Sequence, residues 1–206
     1  MAAKFSHQLL GAFLTSLMLL PFVVGQGSYG SPDGVGPPTS DDTFQSDIND
    51  TLVSRGWNSL PLTYGFVSTS SLPVGLDVQV VTSIIDAAFL TWQVAVPELG
   101  FQRISLGENA NIKIDFIPLD TVYYGYAYFP PDGRLYLDNS HITWSTKSYP
   151  AIDELDLMSG ALHVIGITLG LGNSDDPSAV MYPILNYGSI KRNLSEDDIT
   201  RIQALY

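Results

Sequence analysis

The stretch DLMSGALHVIGITLGLGNSDDPSAVMYP, residues 156–183, carries a helix, a glycine stop and a methionine-bearing turn in close succession. Leu157, Ala161, Ile165 and Leu169 recur at helical spacing, which predicts a helix from about Glu154 to Leu169 with those residues on its inward stripe. Gly170 and Gly172 end it. An irregular loop runs on to about Leu194. The last helix, SEDDITRIQALY, opens with Ser195 as N-cap and three acidic residues in its first turn, where the positive end of the helix dipole favours them. Ile199, Ile202 and Tyr206 form its expected buried stripe.

Upstream, the period changes. PLTYGFV (61–67) alternates Leu62, Tyr64 and Phe66, as a half-buried strand does. DVQVVTSIIDAAFLTWQVAV (77–96) places Val81, Ile85, Ala88 and Trp92 on one helical face and stops before Pro97. FQRIS, NIKIDFI, YYGYAYF and RLYLD read as four further strands, the last two joined by the turn Pro130-Pro131-Asp132-Gly133. Five strands and three helices in this order predict an α+β domain with a twisted mixed sheet, over residues 53–206. The tyrosines of YYGYAYF reflect strand propensity more than a sticky surface.

Two segments precede that domain. Lys4, the apolar run Leu9–Val24 and the small residues Val23 and Gly25 predict a secretory signal peptide over 1–25, cut after Gly25. A membrane anchor is the alternative, but the run is short and Pro21 interrupts it. No later segment is expected to span a bilayer. Residues 26–52 are rich in Gly, Pro, Ser and Asp and predict a flexible leader. The sequons at Asn49 and Asn193 fit a secreted route. Nine Lys and Arg face 21 Asp and Glu, a net charge of −12, which argues against nucleic acid or an anionic membrane as partner. With no cysteine, disulfides, thiolate ligands and cysteine nucleophiles are excluded. No G-x-S-x-G elbow or phosphate loop is present.

Residues 156–183 resemble the zinc-binding stretch of the matrixins (matrix metalloproteinases), most of all the plant-type enzymes, whose pattern is H-E-x-x-H-x-x-G-x-x-H followed by a Met-turn. His163 takes the first ligand position, Val164 the general-base position, Ile167 the second ligand, Gly170 the glycine and Asn173 the third ligand; Met181 matches the Met-turn. LTYGF, AAFLTWQ, NIKIDF, AYFPPDGRLYLD and the closing helix follow in family order, so the likeness runs from Trp57 to Tyr206. It implies a metzincin fold and, along the substrate cleft, an edge at Ala127, Tyr128 and Phe129 facing a wall at Met181, Tyr182 and Pro183. In the family, two histidines one helical turn apart and a third beyond the glycine hold zinc, and the glutamate takes a proton from its water. Here one imidazole remains. Isoleucine has no lone pair, Asn173 offers a poor neutral oxygen, and Val164 cannot accept a proton. The resemblance therefore implies no catalytic residue and no cofactor, with His163 a lone remnant of the metal set. The family's second metal loop is shortened, Ala127 and Tyr136 fall where its histidines belong, and only Asp138 matches a calcium ligand.

Three functions follow as expectations. The first is a secreted, monomeric pseudoprotease whose former cleft holds an extended peptide or extracellular protein. The second is an active zinc endopeptidase. The third is a structural protein without a specific ligand, which a filled cleft around Val164 and Ile167 would favour.

Overall fold

The computed structural model describes residues 56–105, 107–119 and 123–206, together with the backbone of 22–23 and 25–27. In chain order the elements are β1 (Phe22–Val23), β2 (Gly25–Gly27), β3 (Thr63–Phe66), α1 (Val78–Ala95), β4 (Gln102–Arg103), β5 (Ile112–Ile117) and β6 (Gly125–Tyr128). They continue with β7 (Arg134–Asp138), β8 (Trp144–Ser145), β9 (Leu155–Asp156), α2 (Leu157–Thr168), β10 (Ile184–Leu185) and α3 (Glu196–Gln203). The five expected strands are β3 to β7, and they form one mixed sheet in the order β6-β7-β5-β3-β4, with β2 added outside β6. β3, β4, β5 and β7 run parallel; β6 runs antiparallel to β7. The rest of the expected signal segment and leader lies outside the described residues.

Alternation along the strands decides which face is covered. Ile112, Ile114 and Phe116 of β5 and Leu135 and Leu137 of β7 are buried under the helices. Tyr126 and Tyr136 pair across β6 and β7 on the opposite face, stacked at 6.5 Å, and the Arg134 guanidinium lies 4.2 Å over the Tyr128 ring. The tyrosines thus pack on one another and on an arginine guanidinium.

α1 begins at Asp77, whose carboxylate accepts from the amides of Gln79 and Val80. Its buried residues are the expected Val81, Ile85, Ala88 and Trp92 with Phe89 between them, and Phe89 stacks on Tyr64 at 3.8 Å. Contrary to the expectation that no later segment is long enough to cross a bilayer, this 18-residue helix meets that test by length and composition. Its buried stripe nevertheless packs on α2 and the sheet, which makes it a core helix.

α2 is more buried than its four-residue stripe predicts: of its twelve residues only Met158 retains part of its surface. It lies between α1 on one side and β6 and β7 on the other, so it has no solvent face to keep polar. α3 also departs from expectation. Ile202 is buried, but Ile199 and Tyr206 are only half-buried, and the residue buried with Ile202 is Asp198. The Tyr206 hydroxyl instead donates to the Leu169 carbonyl and accepts from the Trp57 amide, while the Trp57 indole donates to the Thr168 carbonyl. Both ends of the domain are thereby fastened to the end of α2.

Gly133, in the turn between β6 and β7, has φ +66°. A Cβ there would collide with the Asn111 carbonyl oxygen and come within 2.9 Å of the Trp57 ring. We expect Gly133→Ala to lower stability by more than about 1 kcal/mol, because left-handed backbone and a rigid clash add, read as a fall in the urea midpoint. An unchanged midpoint would contradict this packing.

Candidate functional site

The residues that the motif singles out are split between a dry helix and a wet loop. His163, Val164 and Ile167 lie on α2; the latter two are 0% exposed and His163 is 2% exposed. Val164 presses on β6 so closely that a Cβ on Gly125 would come within 2.7 Å of its Cγ1. The side-chain period of α2 places Ile167 one turn beyond His163, on the same face. Asn173 is exposed in the loop after α2, and its carbonyl accepts from the Arg201 guanidinium at 3.2 Å. Thus the two aliphatic positions are part of the core, while the third position faces water.

His163 has one committed nitrogen. Nδ1 donates to the Val180 carbonyl at 2.8 Å, which fixes the neutral tautomer with its proton on Nδ1. Nε2 is buried without a hydrogen-bond partner. The Tyr124 ring meets the imidazole edge-on at 6.5 Å. Burial pushes the imidazole down from 6.5 to about 4; the Lys191 charge adds to this, and the Val180 carbonyl, the Asp198 carboxylate and the Tyr182 backbone oppose it.

The turn that carries Met181 is held from below by a residue whose role the sequence reading did not assign. Asp198, fully buried, accepts the amides of Val180 at 2.8 Å and Met181 at 3.0 Å. It also closes the capping box of α3 with Ser195. Met181 is itself 0% exposed and lies against Gly166, where any Cβ would strike its sulfur. The S-x-x-D spacing at Ser195 was visible; that the same carboxylate reaches a turn 17 residues back was not.

Among the cleft positions, Ala127 and Met181 turn inward and are fully buried, while Phe129 is nearly so. Tyr128, Tyr182 and Pro183 keep part of their surface. Lys191 Nζ sits 4.7 Å from the centre of the Tyr182 ring and donates to the Ala179 carbonyl. The outer edge of β6 and the strand β10 are both paired with the N-terminal segment. A separate cavity of about 720 Å³ lies by the N-terminal ends of α1 and α2, lined by Asp77, Ser83, Thr146, Met158 and Arg192 among others; no cleft residue borders it.

The Asp138 carboxylate is already full. It accepts from the amides of Leu119, Ser140, His141 and Ile142 and from the Ser140 hydroxyl. Burial alone would raise this carboxyl, but the donated amides outweigh it and hold it below the ordinary range. His141 lies beside it, half-exposed, with Nδ1 2.8 Å from the Ser140 hydroxyl. Ala127 and Tyr136 give no metal donor beyond a phenol already stacked on Tyr126.

A tetrahedral zinc needs three protein donors with a water in the fourth place. The single buried Nε2, two aliphatic neighbours and an exposed amide do not fit that ion. Among the described residues, no three His, Cys, Asp or Glu are grouped to hold a metal.

A mixed sheet over a nearly all-buried helix, ended by glycine and followed by a methionine turn, is the frame that the matrixin resemblance implies. The family comparison agrees: the matrixin (peptidase M10) family model matches residues 56–206. The chain belongs to the matrixin family. It is 34% identical over 164 residues to metalloendoproteinase 1-MMP of Arabidopsis thaliana, covering 73% of this chain and 44% of that protein. It is 39% identical over 138 residues to metalloendoproteinase 1 of Glycine max, covering 60% and 45%. Against stromelysin-2 of Rattus norvegicus the identity is 32% over 163 residues, covering 74% and 33%. The chain thus spans less than half the length of these relatives.

Two outcomes test this site. Between pH 6.5 and about 4 the unfolded chain binds a proton at His163 that the folded chain does not, so stability falls as pH falls through that window. The loss is about 3 kcal/mol by pH 4. Asp132, Asp138 and Asp176 are held low, so their contributions are lost only below about pH 4, and that of Glu154 begins to be lost below about pH 4.5 in wild type and variant alike. Urea midpoints of wild type and His163→Gln, taken from pH 7 to 4, should diverge, with the variant flatter; parallel curves would refute the burial. Separately, Asp198→Ala leaves two buried amides unpaired and should cost on the order of 3 kcal/mol.

Proposed function

We propose that this matrixin is a secreted pseudoprotease: it binds an extended peptide or extracellular protein along its former substrate cleft and does not cleave it. The reading rests on one observation, the burial of Val164 and Ile167 in the core where a proton acceptor and a second nitrogen donor would have to stand. A general base alone contributes about 10²–10⁴-fold to a hydrolytic rate. Without it, and without a ligand set for zinc, the remaining cleft has no means of activating water.

The filled floor also counts toward a structural protein without a ligand. What favours binding is the edge. Strand addition uses backbone groups of β6, which a filled floor leaves in place, and these groups are already paired with a short strand. A catalytic reading has the family relatives, named metalloendoproteinases, and the bare Nε2 of His163 in its favour.

Metal analysis of the purified full chain, run beside a quenched-peptide cleavage assay, separates these readings. We expect no stoichiometric zinc and no chelator-sensitive cleavage. One zinc per chain with cleavage abolished by chelator would overturn the proposal. A peptide array followed by hydrogen exchange should yield binders that slow exchange at Tyr126–Tyr128; a complete lack of them would leave the structural reading.

A further inference from the structure

The solvent side of α1 carries no charge. Asp86 is the single ionisable residue of this helix, and it is turned to the sheet, where it accepts from the Tyr64 hydroxyl at 2.8 Å and pairs with Arg103 at 3.1 Å. Opposite the buried stripe, Val80, Ile84, Ala87, Leu90 and Val94 follow one another at spacings of four, three, three and four, along one helical face. Val80 keeps 43%, Leu90 58% and Val94 76% of its surface exposed. On the same side, the hydroxyls of Ser83 and Thr91 donate to the Gln79 and Ala87 carbonyls at 2.8 and 2.9 Å, so covering them would strand no donor.

Charge, order and relief all favour a second copy of the same chain as the occupant of this face. A chain of net charge −12 repels its own copies, so self-association needs a face without acids, and α1 offers one. The face also has the same character read from either end: around Ala87, Ile84 answers Leu90, Ser83 answers Thr91 and Val80 answers Val94. An antiparallel pair of α1 helices crossing at Ala87 therefore sets aliphatic on aliphatic and hydroxyl on hydroxyl, the self-complementary contact that a two-fold axis demands. In relief, the two halves differ. Val80, Ser83, Ile84 and Ala87 form one wall of the cavity of about 720 Å³, whereas Leu90 and Val94 lie beyond it and are the most exposed large apolar residues of the helix. The same two-fold brings the projecting half of each helix to the hollow half of the other, and the small side chain of Ala87 lets the axes approach.

We propose that the chain forms a two-fold symmetric dimer through the outer face of α1, with Ala87 on the axis, in place of the monomer that the sequence leads one to expect. The contact does not depend on what the cleft binds. α2 stands between α1 and β6, so both β6 edges remain outside the contact and the dimer presents two of them. The cavity beside α1 receives Leu90 of the partner subunit, which is why its α1 wall is aliphatic and uncharged between Val80 and Ala87.

The chain has no cysteine, so single cysteines placed in the full chain report proximity without background. Ala87→Cys should form a disulfide-linked dimer on mild oxidation, because residues on the axis face each other within the roughly 4.4–6.8 Å Cα separation that a disulfide spans. Val94→Cys alone should not, since its two copies lie about 21 Å apart along antiparallel helices, whereas Val94→Cys mixed with Val80→Cys should. Sedimentation equilibrium of the cysteine-free full chain should show a monomer–dimer equilibrium. Leu90→Glu, at an exposed position, should weaken it at least roughly tenfold while the circular dichroism stays native. A monomer at every concentration overturns the proposal. So does a dimer that survives Leu90→Glu, or one that links Val94→Cys to itself as readily as Ala87→Cys. If the chain instead stays monomeric and floats with phosphatidylcholine vesicles in a manner that Leu90→Glu abolishes, the face meets lipid and the proposal fails.

Discussion

Two hydrogen-bonded contacts beneath α2 fix the centre of this domain. His163 donates to the Val180 carbonyl, and Asp198 accepts the Val180 and Met181 amides from the other side. One turn is thus tied at once to α2 and to α3, and its methionine is pressed against Gly166. α2 cannot shift without moving that turn, and the turn cannot shift without stranding a buried carboxylate. Sheet, helix and closing segment are locked by groups that are themselves out of reach of water.

This arrangement divides the cleft into parts of different standing. Its floor belongs to the core, since Val164 lies against Gly125 and Ile167 is sealed. Its rims are backbone: the outer edge of β6 and the short strand β10. Backbone edges depend on chain direction and register, and they tolerate the loss of every catalytic side chain. The ability of the rims to pair with a strand is therefore independent of which side chains stand at the floor.

Periodicity made the frame legible. Val81, Ile85, Ala88 and Trp92 announce the buried face of α1, and alternation in NIKIDFI announces β5, because both patterns follow from local geometry that tertiary contacts reinforce. α2 was legible as a helix but not as a buried one: a stripe of four residues is what an amphipathic helix shows, and only the third layer, α1, covers the remainder. α3 misled through its charges. Three acids at a helix N-terminus read as dipole complement, and nothing local marks Asp198 as the one that turns inward. The pairing of Gly25–Gly27 with β6 was not legible, since a glycine-rich stretch carries no strand signal of its own.

The positions where relatives would place metal ligands have not been left empty of interactions. Asp138, which the resemblance aligns with a calcium ligand, has its oxygens filled by amides from Leu119 and from the Ser140–Ile142 turn. His163, which the resemblance aligns with a zinc ligand, ties α2 to the Met181 turn through the Val180 carbonyl. A buried anion stripped of its cation is costly unless donors replace it, and a buried imidazole stripped of its metal is tolerable only when neutral. The short connection after β5 supplies the first solution, and the depressed basicity of His163 supplies the second. The Asp138 oxygens and Nδ1 of His163 are thus satisfied by the chain's own groups. Nε2 of His163 is the one buried polar side-chain atom among the described residues for which no replacement has been found.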